Sequence, residues 1–81
     1  MLQDSTAISH YHKLTDALTE LQRRGYRFPE LRLYIEGYTA GLHYAGTLAP
    51  HQAYRLEEEA LRFLRDPANF EIPDPEVQSD A

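Results

Sequence analysis

Three stretches of this chain repeat their apolar residues at helical intervals, with polar residues between them. In the first, residues 5–24, Ile8, Tyr11, Leu14, Leu18 and Leu21 follow one another at steps of 3, 3, 4 and 3, which gathers them on one side of a helix. Asp4 or Ser5 suits its N-cap, and Gly25 stands just past its end. Arg23 and Arg24 occupy the last turn, where cations favour the negative end of the helix dipole.

The second stretch, residues 29–46, begins with Pro29, a residue suited to a first helical position, and carries Leu31, Tyr34, Ile35, Tyr38, Leu42 and Ala45 at helical spacing up to Gly46. A competing pattern overlaps it. Leu31, Leu33 and Ile35 alternate with Arg32, Tyr34 and Glu36, as in a half-buried strand, and Gly37 then opens a turn, so a short hairpin in residues 31–45 is the alternative. The periodicity outlasts the roughly 5 or 6 residues of a typical strand, which favours helix.

The third stretch starts at Pro50, has Gln52 placed to satisfy an open backbone amide, and ends before Pro67. Ala53, Leu56, Ala60, Phe63 and Leu64 form its inner face, while Arg55 with Glu59 and Glu58 with Arg62 are outward pairs four apart. The Glu57-Glu58-Glu59 run therefore belongs to a wet helix surface rather than to a catalytic carboxylate cluster.

The expected fold is all-α: a small three-helix bundle, or a helical hairpin plus an N-terminal helix, over residues 1–65, with helices at about 5–24, 29–46 and 50–65. Residues 66–81 hold Pro67, Pro73 and Pro75 and are expected to run as an extended tail.

Length and charge sharpen this division. The chain has 81 residues, 13 acidic and 8 basic, for a net charge of -5. A chain of this size buries only about 60% of its unfolded surface, so its core is thin and an oligomer or partner is a natural supplement. It has no cysteine, which excludes disulfides and thiolate metal sites. Residues 1–65 are formally neutral, with all the basic side chains and an equal number of acids. Asp66, Glu71, Asp74, Glu76 and Asp80 of the tail supply the whole excess.

No catalytic constellation is legible. The serines sit in no GxSxG-type elbow, and the Gly-Tyr-Thr-Ala-Gly run at 37–41 lacks the ending of a phosphate-binding loop. His10 and His12, two apart, point to different sides of a helix, and His43 and His51 have no cysteine to complete a ligand set. No enzyme activity, metal or cofactor is expected.

Three other features are candidates for binding. Tyr34, Tyr38 and Tyr44 cannot all share a core with Leu31, Ile35 and Leu42, so some lie at its rim, where tyrosine serves protein contacts well. Gly37, Gly41 and Ala45 recur at steps of four, which forms a stripe of small residues in a helix. Two interior glycines cost roughly 2 kcal/mol relative to alanine, and close approach of another helix, inside the monomer or across a dimer seam, is the expected compensation. In the tail, Phe70 and Ile72, with Asp74 and Glu76, suit an extended peptide that docks in a partner's groove.

Arg23, Arg24, Arg27 and Arg32 form a basic patch interleaved with Tyr26 and Phe28. A neutral body and an acidic tail oppose phosphate binding, so nucleic acid is not the expected partner, and the tail itself is a candidate cover for the patch. No run of apolar residues approaches a membrane span and no secretory leader is apparent, so a cytoplasmic location without membrane contact is expected.

The function these features suggest is a small acidic stoichiometric protein-binding module, a regulator or inhibitor that occludes a partner protein's functional surface. In size and charge alone the chain resembles inhibitors encoded by phages and mobile elements, including anti-CRISPR proteins and blockers of host machinery. That resemblance implies the inhibitor form of the role. The alternatives are a self-assembling structural homodimer through helix 2 and a small DNA-associated regulator using the arginine patch.

Overall fold

A computed structural model describes residues 4–66 of the chain. These form three helices and no strand: α1 (Ser5–Arg23), α2 (Phe28–Tyr44) and α3 (Pro50–Arg65). Residues 31–44 are helical throughout, so the hairpin alternative falls and the longer period prevails.

Each helix boundary has a local cause. Asp4 caps α1, its Oδ2 accepting from the Ala7 amide at 3.1 Å. Pro29 and Pro50 lie in the first turns of α2 and α3, where a missing N–H leaves no hydrogen bond unmade. Glu30 Oε1 accepts from the Arg27 amide at 2.8 Å and Gln52 Oε1 from the Ala49 amide at 2.9 Å. These side chains supply one limb of a capping box, because Arg27 and Ala49 carry no side-chain acceptor for the other.

Gly25 and Gly46 adopt φ of 101° and 75° just beyond α1 and α2. In both turns the glycine N–H and the next amide reach back to helix carbonyls: Gly25 to Gln22 at 3.0 Å, Tyr26 to Leu21 at 3.2 Å, Gly46 to His43 at 3.0 Å and Thr47 to Leu42 at 2.9 Å. This is the Schellman arrangement, which satisfies carbonyls that would otherwise be left open. It also ends α2 at Tyr44, two residues before Gly46, leaving Ala45 as the C-cap.

The core joins Leu14 and Leu18 of α1, Leu31 and Ile35 of α2, and Leu56, Ala60 and Leu64 of α3. Ala7, Ala53 and Leu48, the last from the α2–α3 turn, complete it. Alanines at the contacts allow close helix approach, and the turn of residues 45–49 is short enough to set α2 and α3 antiparallel. Thr15 and Thr39 are buried, with their hydroxyls donating to the Tyr11 and Ile35 carbonyls at 3.0 Å, so neither leaves an open donor.

One expected core position moves. Ile8 is 37% exposed and Ala7 is buried in its place. The stripe on α1 thus runs Ala7, Tyr11, Leu14, Leu18, a steadier helical repeat than one that begins at Ile8.

Removing the α1 cap tests the local account. Asp4→Ala is expected to lower unfolding free energy by about 1 kcal/mol, measured in urea. A change near zero would detach α1 nucleation from this hydrogen bond.

Candidate interaction face on the second helix

Because α2 carries apolar residues on almost every side, its own pattern does not set its orientation; its neighbours do. Leu31, Ile35 and Thr39 point inward and are buried, with Tyr38 and Leu42 packed at the edge of the core. The opposite arc, at steps of 3 and 4, presents Leu33, Gly37, Ala40, Gly41 and Tyr44, of which all but the half-buried Ala40 are exposed. No charged residue falls on this arc between Leu33 and Tyr44; Arg32, Glu36 and His43 border one side of it and Tyr34 the other.

Exposed large apolar side chains concentrate here. Among the described residues Tyr26, Phe28, Leu33, Tyr34 and Tyr44 are exposed on α2 or its lead-in, against only Ile8 and Tyr54 elsewhere. Single exposed residues of this kind are ordinary on a protein surface, and five of these seven fall on α2 or its lead-in.

The glycines divide in two. Gly25 and Gly46 are required by their positive φ. Gly37 and Gly41 have ordinary helical backbone, and a Cβ added at either would meet nothing within 4 Å. The expectation that these glycines let α2 pack closely against its own neighbour therefore has no counterpart among the described residues. Their cost in helix propensity is met by no contact among the described residues. Ala45, the third member of the stripe, sits at the exposed C-cap.

The three candidate tyrosines take different places. Tyr38 is tied inward: its hydroxyl lies 3.0 Å from His10 Nδ1 and the two rings meet edge to face at 5.8 Å. Tyr34 lies at the edge, its ring 6.0 Å from that of Tyr38. Tyr44 stands out from the surface, 84% exposed, with its ring 5.4 Å from His43. Tyr34 and Tyr44 thus frame the outward arc, while Tyr38 fixes α2 to α1.

Two phenols have ionisation shifted upward. Burial raises the Tyr38 pKa above its usual 10.0, and the nearby Tyr34 adds to the shift. Burial raises that of Tyr11 as well, helped by Glu59 and opposed by Arg62. A phenol whose folded pKa exceeds its unfolded value leaves stability intact below pH 10 and reduces it as pH rises above that value. Urea midpoints are therefore expected to be flat up to about pH 9.5 and to fall beyond it. In Tyr38→Phe the fall is expected to be shallower, with about 0.5–1.5 kcal/mol lost at neutral pH from the His10 hydrogen bond.

The arginine stretch is largely engaged. Arg23 Nη1 and Arg24 Nε lie 3.4 and 3.3 Å from the Glu20 carboxylate, and Arg32 Nε lies 3.3 Å from Glu36. All are exposed, so each pair contributes at most about 1 kcal/mol. Arg27 at the α2 N-cap is exposed and has no carboxylate partner among the described residues. Phe70, Ile72, Asp74 and Glu76 lie outside the described residues.

Leu33 and Ala40 belong to the outward arc, although the sequence marked neither as a binding residue. Their spacing from Gly37 and Gly41 carried that signal, and it becomes legible once Leu31 and Ile35 are known to face inward. Among the described residues no three His, Asp or Glu side chains are placed to hold a metal ion, and no helix is long and apolar enough to cross a membrane.

A family model described as "Family of unknown function (DUF6761)" matches residues 1–81, and the chain belongs to that family. No curated protein and no solved structure matches it.

Proposed function

Taking that membership as the premise, we propose that this DUF6761 chain is a stoichiometric protein-binding module whose working surface is the outward arc of α2. The observation that carries the proposal is the pair of interior glycines, Gly37 and Gly41, open to solvent in the middle of an uncharged arc. Natural helices lose stability at such positions, and an approaching body that packs against the bare backbone offsets the loss. Leu33, Tyr34 and Tyr44 around the glycines supply large apolar contacts of the kind that dominate interface energetics.

Occlusion is the mode of action that suits this surface. A flat helix face can cover a partner's functional site without chemistry of its own, which is the regulator or inhibitor form of the proposal. The DNA-associated alternative draws less support, because Arg23, Arg24 and Arg32 already sit beside carboxylates and phosphate contacts depend on available cations. The alternative occupant of the arc is a second copy of the chain.

Capture from the native cell tests the proposal. Wild-type protein is expected to recover one dominant protein at near-equal stoichiometry, and Leu33→Lys with Tyr44→Lys is expected to lose it while retaining the helical circular dichroism of the wild type. Undiminished recovery by the double variant would remove the α2 arc from the account, and recovery of the chain alone as a stable homodimer would replace the hetero-partner.

A further inference from the structure

The C-terminal tail has a fitting surface on the body. Phe28, Pro29, Arg32, Leu33 and Glu36 line a depression on the flank of α2, in which Phe28 is 43% and Leu33 66% exposed. Further along, Glu36, Thr39, Ala40 and His43 line a second depression with Pro50, Ala53, Tyr54 and Glu57 of α3. The second one gives the antiparallel register, with residues 36–43 against 50–57. The same register carried eight residues along both helices sets Arg65, the end of α3, level with Phe28.

We propose that residues 67–81 dock on this N-terminal flank of α2, with Phe70 and Ile72 on the Phe28–Pro29–Leu33 patch and the tail carboxylates facing Arg27 and Arg32. Three observations carry it. The tail begins level with the patch: from Asp66 to Phe70 an extended chain reaches about 14 Å, more than the roughly 8–10 Å between packed helix axes. Charge is complementary, since the tail has Glu71, Asp74, Glu76 and Asp80 and no lysine or arginine. On the body, Arg27 has no carboxylate partner among the described residues, and Arg32 is held only by an exposed contact with Glu36. Finally, Phe70, Ile72, Asp74 and Glu76 stand at steps of two in the sequence, so docking as an extended strand would turn all four toward one side.

Tethering makes weak contacts sufficient. A segment joined by a short linker experiences an effective concentration in the millimolar range, so an intrinsic affinity of about 1 mM already half-fills the patch. Docking there covers Leu33 and leaves Gly41 and Tyr44 open. The tail thus competes for one end of the α2 arc, and its failure to dock would leave the proposed function standing.

The test compares amide spectra of the isotope-labelled full chain with those of Phe70→Ala/Ile72→Ala, a change remote from the core, which residues 7–64 supply. The expected shift changes fall on residues 27–36 and spare 50–57. In the wild type the same amides move when salt is raised from about 0.05 M to about 0.5 M, which screens exposed charge pairs; in the variant they move less. Asp74→Asn/Glu76→Gln is expected to shift residues 27–36 in the same direction by a smaller amount. The wild-type pattern is expected to survive about tenfold dilution, because a tethered contact does not depend on concentration. Changes confined to the tail, or centred on α1 or α3, would overturn the proposal. Changes at 27–36 that disappear on dilution would also overturn it, since they would make the occupant a second copy.

Discussion

Replacing Gly37 and Gly41 together with alanine is expected to stabilise the isolated chain by about 1–2 kcal/mol, raising its melting temperature by roughly 4–8 °C per kcal/mol. The sign is the informative part. An interior helical glycine costs about 1 kcal/mol relative to alanine when nothing else constrains it, and an added Cβ at either position meets no atom within 4 Å. Had these glycines served a close contact inside the bundle, the two methyl groups would overpack it and cost about 1–3 kcal/mol instead. The same double variant is expected to bind its partner more weakly, because the methyl groups hold the approaching surface away from the backbone. Stability and binding moving in opposite directions is the signature of a residue kept for contact at the expense of the fold. Urea unfolding of the double variant beside the wild type reads the first half directly.

Leu56→Ala is expected to have the largest destabilising effect. Leu56 is fully buried and central to the inner face of α3. Truncating such a leucine costs about 2–5 kcal/mol through lost transfer energy and the cavity left behind. A domain of this size holds about 4–12 kcal/mol in total, so the variant is expected to melt far below the wild type. Leu56→Met keeps most of the volume and is expected to cost under about 1.5 kcal/mol. If Leu56→Ala changed the urea midpoint no more than Leu56→Met, the core arrangement of α3 against α1 and α2 would be wrong.

Much of the fold was legible because its signals are local. Asp4, Pro29 and Pro50 mark helix starts, Gly25 and Gly46 mark helix ends, and Ala53, Leu56, Ala60 and Leu64 define the inner face of α3 by spacing alone. Local signals failed where two side chains competed for one place. Ala7 displaced Ile8 from the core because fit between helices, not apolar size, decides which residue is enclosed. Leu48 is buried although it sits in a turn, where no periodicity exists to betray it.

The candidate site was legible in composition but not in direction. The sequence displayed the Gly37–Gly41 step and the tyrosines of helix 2, yet a helix that is apolar on almost every side gives little indication of which side its neighbours take. Only the placement of Leu31 and Ile35 against α1 and α3 turns Leu33, Gly37, Gly41 and Tyr44 outward. The same placement separates Tyr38, held by His10, from Tyr34 and Tyr44. The charge division had the opposite fate: the neutral body and acidic tail follow from counting residues, and the register of α2 on α3 then sets the start of that tail level with Phe28.

The most direct test of the α2 surface is a paired measurement on Gly41→Leu, namely melting temperature and partner capture on the same preparation. The account predicts that the variant melts at or above the wild-type temperature, since leucine is a better helix former than glycine and the space is open, while capture of the partner falls at least about tenfold, a loss of about 1.4 kcal/mol. A variant that melts well below the wild type, or one that melts as expected and captures the partner undiminished, would contradict it.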